Sequence, residues 1–320
     1  RIRWTDGTVA GEVTSQGDAR PWGIDTPPPS FDAAPANSGG MHAGRYMVTI
    51  TFITATGEES GAPDPVFVTV PENGGFELTG IPTPAQAFVA GVRVYVSTAN
   101  GEDLFQVQTL APGTSAVLIG ASHQGIRLGS WGLYPMPAGD FLLARQGRLL
   151  TARGTRYTWS HPLRYALHKP SESSQSVPGV ITMLAAPDGV GFLVYVGTTK
   201  AVHVLSGESV DTHSQSVAWS RGAMKGTMTM VPADALGLES PGSVPCWLDT
   251  DGQFVAGTSS GVIVLNKLAA ADTMRRCSAT FLDLPGIRKL IVSGRRTKGS
   301  RMAMGDRAIA TITPVGLVGQ

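Results

Sequence analysis

The second half of the chain repeats itself, and the repeat is built from strands. Residues 188–205 align with residues 251–265 as turn, strand, Gly-Thr turn, strand, and residues 146–160 form a looser copy with Gly154-Thr155 at the turn. From Gly154-Thr155 to Gly197-Thr198 is 43 residues, and from there to Gly257-Thr258 is 60. Propeller blades run about 40–50 residues, so the longer interval carries an insertion or a degenerate blade. A two-strand unit leaves one face bare, and stacking such units around an axis covers those faces while limiting open edges. Residues 139–296 are therefore expected to form a β-propeller or an open propeller-like array. Residues 1–24 are expected to join it through a hairpin that turns at Thr5-Asp6-Gly7-Thr8.

The rest of the chain offers strands and little else. Helical spacing of apolar residues is nearly absent, and 40 glycines and 22 prolines punctuate the sequence. Strand-like runs cover residues 46–54, 65–70, 91–97, 192–196 and 261–265. The expected class is all-β. Within it, residues 44–119 read as an inserted sandwich of the fibronectin type III kind. Their first strand alternates Tyr46, Val48, Ile50 and Phe52 with Met47, Thr49, Thr51 and Ile53, and six or seven strands fit the length. Residues 25–43, rich in Pro and then in Gly, read as a linker without regular structure, with residues 120–138 as the return linker and 297–320 as a C-terminal segment. No apolar stretch approaches the ~18–20 residues of a membrane-spanning helix, so no span is expected. A chain that opens on Arg1, with neither methionine nor a signal-peptide pattern, is expected to lack some N-terminal residues.

The chemistry-bearing motifs are fragments. Gly207-Glu-Ser-Val-Asp211 lacks the second glycine of a nucleophile elbow and has no strand-to-helix context around Ser209. Gly197-Thr-Thr-Lys200 and Gly189-Val-Gly191 lack the spacing of phosphate-binding loops and read as turns. Asp249-Thr-Asp-Gly252 offers two carboxylates but not the later ligands of a calcium loop. His161 and His168 share no ligand face, and His203 alternates within an apolar strand. Cys246 and Cys277 fit neither a disulfide framework nor a zinc pattern and read as buried thiols. Asp188 and Asp251, at equivalent turns of the repeat, are the best pair for a glycosidase, yet turn formation accounts for both. The reading is a protein that is not an enzyme, with no catalytic residue, no metal and no cofactor.

Charge is more telling. Residues 1–135 carry six Arg and twelve acids, whereas residues 136–320 carry nineteen basic residues and twelve acids. Charged residues are only 15 % of the chain against roughly 25 % in ordinary domains, and 19 of the 25 basic residues are Arg, which suits bidentate interface pairs. The densest cluster is Arg288, Lys289, Arg295, Arg296, Lys298, Arg301 and Arg307, with Asp306 the only acid among residues 288–307. Its readings are contact with DNA phosphates, contact with an acidic neighbouring subunit, or a solvated hairpin.

Several stretches resemble structural proteins of tailed bacteriophages. They are Arg3-Trp-Thr-Asp-Gly7, Ala19-Arg-Pro-Trp-Gly-Ile24, the Gly44-Arg-Tyr46 strand with Thr56-Gly-Glu-Glu-Ser60, and residues 147–165, where a short strand precedes Ser160-His-Pro162. The last is similar to a blade element of tail nozzle and tail-tip proteins, and the likeness covers roughly residues 1–270. The resemblance implies a virion component of the tail that forms a homo-oligomeric ring, such as a hexamer, around the conduit for genome ejection. Its partners would be other phage tail proteins and, transiently, genomic DNA, with the sandwich projecting outward or clasping a neighbour. The alternative is a receptor- or carbohydrate-binding β-propeller module of a virion or cell surface.

Overall fold

The computed structural model describes residues 1–121, 125–267, 274–284, 287–296 and 307–312. Among these residues the protein is all-β, in several small antiparallel sheets, with one 3₁₀ turn at Ala233–Leu236. No helix among them is long and apolar enough to cross a membrane. The chain divides into two compact units. The first is Arg1–Arg3, Ala10–Pro137 and Ser160–Ser173; the second is Trp4–Val9, Ala138–Trp159 and Ser174–Gln320.

The N-terminal strands β1 (Ile2–Thr5), β2 (Ala10–Val13) and β3 (Ala19–Pro21) form a small sheet in that order. Only the tip Trp4–Val9 groups with the second unit, so residues 1–24 do not join that unit as a block. Asp6 shapes the tip, its Oδ1 accepting the backbone N–H groups of Thr8 and Val9 at 2.8 and 2.7 Å.

Seven strands follow: β4 (Asp32–Met41), β5 (Gly44–Thr54), β6 (Val66–Val70), β7 (Gly74–Thr79), β8 (Val89–Ser97), β9 (Leu104–Leu110) and β10 (Ala116–Ile119). They make two sheets, β6-β5-β8-β9 and β10-β7-β4. One core lies between them, into which Tyr46, Val48, Ile50 and Phe52 project from β5 and Phe76 and Leu78 from β7. The alternation along β5 thus sets its inner face. Its outer face is buried too, because the chain after β5 folds over it. Thr49 Oγ1 donates to the Pro63 carbonyl at 2.9 Å, and Thr51 Oγ1 to Glu59 at 2.5 Å.

Two expected linkers are structured. Residues 25–43 contain β4, which pairs with β7 from Asp32↔Thr79 to Met41↔Gly74. Pro35 is tolerated because β4 is an edge strand, where a missing N–H breaks no ladder. Gly39 and Gly40, at φ 149° and 71°, absorb the register shift between Ala36 and Met41. The sandwich therefore begins before residue 44. Residues 120–138 run partly along β9: Gln106 N donates to Ile126 O and Leu128 N to Leu104 O, both at 2.8 Å. Beyond them β11 (Tyr134–Pro135) pairs with β15 (Leu167–His168).

The second unit is a series of antiparallel meanders. The first sheet is β12 (Phe141–Arg145), β13 (Arg148–Arg153), β14 (Arg156–Trp159) and β16 (Ser174–Ser176). The next is β17 (Ile181–Ala185), β18 (Phe192–Thr198), β19 (Val202–Gly207) and β20 (Ser214–Trp219). The third is β21 (Thr229–Pro232), β22 (Ser243–Leu248), β23 (Gln253–Thr258) and β24 (Gly261–Lys267). A three-stranded sheet follows, β25 (Met274–Leu284), β26 (Ile287–Arg296) and β27 (Arg307–Ile312).

The three copies of the repeat are adjacent hairpin strands of the four-stranded sheets: β13-β14 and β18-β19 are the second and third strands of theirs, and β23-β24 the third and fourth of the last. Alternation on these strands buries both faces. From β18, Val194 and Val196 join Leu150 and Trp159 of the preceding sheet, while Tyr195 joins Trp247 and Val255 of the following one. From β23, Phe254 and Ala256 pack with Leu290 and Val292 of β26. Each sheet thus covers a face of the one before it.

The Gly-Thr turns explain the repeat chemically. Thr198 Oγ1 donates to Ala201 O and Thr258 Oγ1 to Gly261 O, each at 2.9 Å, closing two hairpins in the same way. Gly257 makes room for the neighbouring sheet, since a Cβ there would lie 2.6 Å from Tyr195 Cε2, whereas Gly197 makes room within its own sheet, where a Cβ would lie 2.5 Å from Met183 Cγ on β17. Gly154 differs. It sits in the turn itself at φ 59° with nothing near its missing Cβ, which is why the third copy aligns loosely.

Candidate functional site

The basic cluster of the C-terminal region falls on β25–β27. Strand alternation seats Leu290 and Val292 of β26 in the core, which anchors the sheet and sets its register. Arg275 on β25 stands opposite Arg295 on β26, and Arg295 stands opposite Arg307 on β27. Three arginines thus occupy one row across three strands. Arg296, opposite Met274, adjoins the row.

The other cluster members separate from it. Arg288 and Lys289 lie at the opposite end of β26, roughly 23 Å from Arg295 at about 3.3 Å per residue. Arg288 is neutralised locally: its Nε donates to Asp283 Oδ1 at 3.3 Å, and its Nη1 lies 3.5 Å from Asp234 Oδ2. Lys289 stands opposite Leu282. Lys298 and Arg301 lie outside the described residues. Arg275 is the member that the sequence reading missed. Its signal was the Arg275-Arg276 pair, one hairpin upstream of Arg295-Arg296.

The residues considered for catalysis are engaged by other groups of the chain. Asp188 Oδ2 accepts Ser243 N–H at 3.0 Å, and Asp251 pairs with Arg221. Asp249 is fully buried, its Oδ1 accepting the N–H groups of Asp251 and Gln253 at 3.0 and 2.8 Å and its Oδ2 accepting the Trp219 indole at 3.0 Å. Ser209 Oγ meets Thr212 Oγ1 at 3.1 Å in a loop. In the Gly197–Lys200 turn, Thr198 Oγ1 accepts the N–H groups of Lys200 and Ala201. Burial holds His168 and His203 below the ordinary histidine value and pushes the Cys246 and Cys277 thiols up. Among the described residues, no group of three or more His, Cys, Asp or Glu is arranged to hold a metal ion.

The first unit contains a charged cluster that no local pattern announced. Glu12 is fully buried and accepts from Arg20 Nε at 2.8 Å and, closer still, from Arg20 Nη2. Arg3 Nε lies 3.3 Å from Glu12 Oε2, and Glu58 Oε2 joins Arg1 at 3.0 Å and Arg20 at 2.5 Å. Beside it, Glu59 Oε1 accepts from Tyr95 at 2.5 Å; burial first, and then this carboxylate, push the Tyr95 phenol up. The cluster staples the N-terminal strands to the chain that covers the sandwich.

A scan of the chain against protein-family models gives no match, and a search of curated proteins gives none.

Proposed function

We propose that this protein is a structural, non-enzymatic component of a bacteriophage tail, at the nozzle or tail tip, assembling with its own copies into a ring that forms part of the conduit for genome ejection. The observation that carries the reading is the arginine row Arg275, Arg295, Arg307. Three arginines in register add positive charge to one stretch of the sheet, which an anionic surface complements. Within residues 44–119 the exposed carboxylates of Asp64, Glu72 and Glu77 supply one on a neighbouring copy. A patch that meets a different patch on the next copy is a heterologous contact, which closes into a ring when its rotation allows.

The finer fold assignments belong to the same proposal. The second unit is read as a propeller-like array, because consecutive meanders cover one another's faces. The sandwich is read as fibronectin type III-like from its seven strands divided three and four. The Asp188 and Asp251 carboxylates, engaged by Ser243 N–H and by Arg221, support a part rather than a catalyst, and the virion is the proposed location.

Light scattering and negative-stain microscopy of the purified chain test the reading. A closed ring is expected, with Arg295→Glu and Arg296→Glu together slowing assembly while circular dichroism stays β-rich, and with salt weakening encounter through screening over ~8–10 Å. A species that remains monomeric at every concentration, or assembly indifferent to the double reversal, would overturn it. Cross-links from Arg295 to DNA in intact particles would replace the subunit contact with conduit lining.

A further inference from the structure

One corner on the outer face of the four-stranded sheet is aromatic. A cleft of about 540 Å³ is lined there by Arg45, Met47, Phe67, Asn100, Glu102 and Trp131. Its size falls in the range of about 300–1,000 Å³ typical of small-molecule sites. Met47 on β5 stands opposite Phe67 on β6, on the face away from the core. Phe67 is 52 % exposed and Trp131 49 %. Two large aromatic side chains half in water on one cleft are a recognition feature rather than packing.

The cleft is preorganised. Asn100, at φ 58°, locks its loop to β5 in both directions: its N–H donates to Arg45 O at 2.8 Å and its Oδ1 accepts Arg45 N–H at 3.1 Å. That bond leaves the Asn100 amide nitrogen as a donor. The Arg45 guanidinium lies over Phe67, 4.1 Å from the ring centre, which holds the ring in place. Trp131 is fixed by its bridge to Ala62 and by the turn in which Leu133 N donates to Ser130 O at 3.2 Å.

The lining selects the ligand. Arg45 and Glu102 cancel in charge, so nothing favours an anion or a cation. Aromatic faces bordered by a carboxylate, an amide and a guanidinium match a ring with apolar C–H faces and a rim of hydroxyl groups. The geometry points to a binding site for a neutral pyranose with equatorial hydroxyls, its C–H face on Trp131 and Phe67 and its hydroxyl rim donating to Glu102 and accepting from Asn100. This site stands apart from the arginine row, and ring assembly neither requires it nor follows from it.

Calorimetric titration of the whole chain with cellotetraose and with N-acetylchitotetraose tests the assignment, with light scattering run in parallel. Saturable binding of at least one is expected, weakened about tenfold or more in Trp131→Ala and in Phe67→Ala and largely kept in Trp131→Phe. Both side chains are half exposed, so the variants should retain the parent's circular dichroism. No saturable heat with either oligosaccharide, or binding that survives both alanine variants, would overturn the proposal. So would a change of particle mass in those variants without sugar binding, which would make the corner a contact between copies.

Discussion

At the scale of single residues, stability rests on buried polar groups whose partners come from elsewhere in the chain. Glu12 is the clearest. It is fully inaccessible and held by Arg3 and Arg20, so Glu12→Gln takes the counterion from Arg3 and leaves Arg20 with Glu58 alone. Breaking one side of such a pair typically costs about 3–5 kcal/mol. Urea unfolding should register a loss of that order, whereas Glu102→Gln, at an exposed position, should change little. His203 makes a second case. Burial lowers its pKa, and a hydrogen bond with the Pro178 carbonyl opposes that only in part. The folded state therefore favours the neutral ring. Its contribution is complete above the unfolded value of about 6.5 and is lost as pH falls below it. Melting temperatures measured from pH 7.5 to 5 should fall on acidification, and the fall should be smaller in His203→Gln.

At the scale of elements, the Gly-Thr hairpins couple turn chemistry to packing between sheets. Tyr195 donates its hydroxyl to Thr258 O at 2.6 Å, and its ring lies 5.8 Å from that of Trp247. Gly257 gives the ring its space. Gly257→Ala should therefore destabilise the protein by about 1–3 kcal/mol through overpacking. Gly191→Ala, where no atom lies within 4 Å of the added methyl, should be close to neutral. Chemical denaturation of the two variants side by side checks the contrast. Equal effects would mean that the glycines of the repeat serve the turns rather than the contact with the next sheet.

At the scale of the whole molecule, the two units keep separate cores. The sandwich core draws only on residues of the first unit, and the clusters that join the successive meanders draw only on the second. Calorimetry should resolve two unfolding transitions, with Glu12→Gln lowering one and Gly257→Ala the other. A single transition moved equally by both would show one cooperative body. The ordered strand β4 carries a related expectation: proteases should not cut first within residues 32–41, because that backbone is paired with β7.

The all-β class, the hairpin repeat and the β5 core positions were legible in the sequence, because they depend on local rules. Strand alternation has a period of two, and the threonines after Gly197 and Gly257 close their turns through bonds to residues three positions on. What the sequence could not disclose depends on partners distant along the chain. A Pro- and Gly-rich stretch became strand β4 because an edge of β7 was open to it. One run of basic residues split between the two ends of β26, and Arg275 entered the row through register with Arg295. Glu12 found its counterion Arg20 eight positions away, and Phe67 and Trp131 came to line one cleft from positions 64 apart. Propensity and turn chemistry act within a few residues, whereas register, burial and charge pairing arise only when the sheets close on one another.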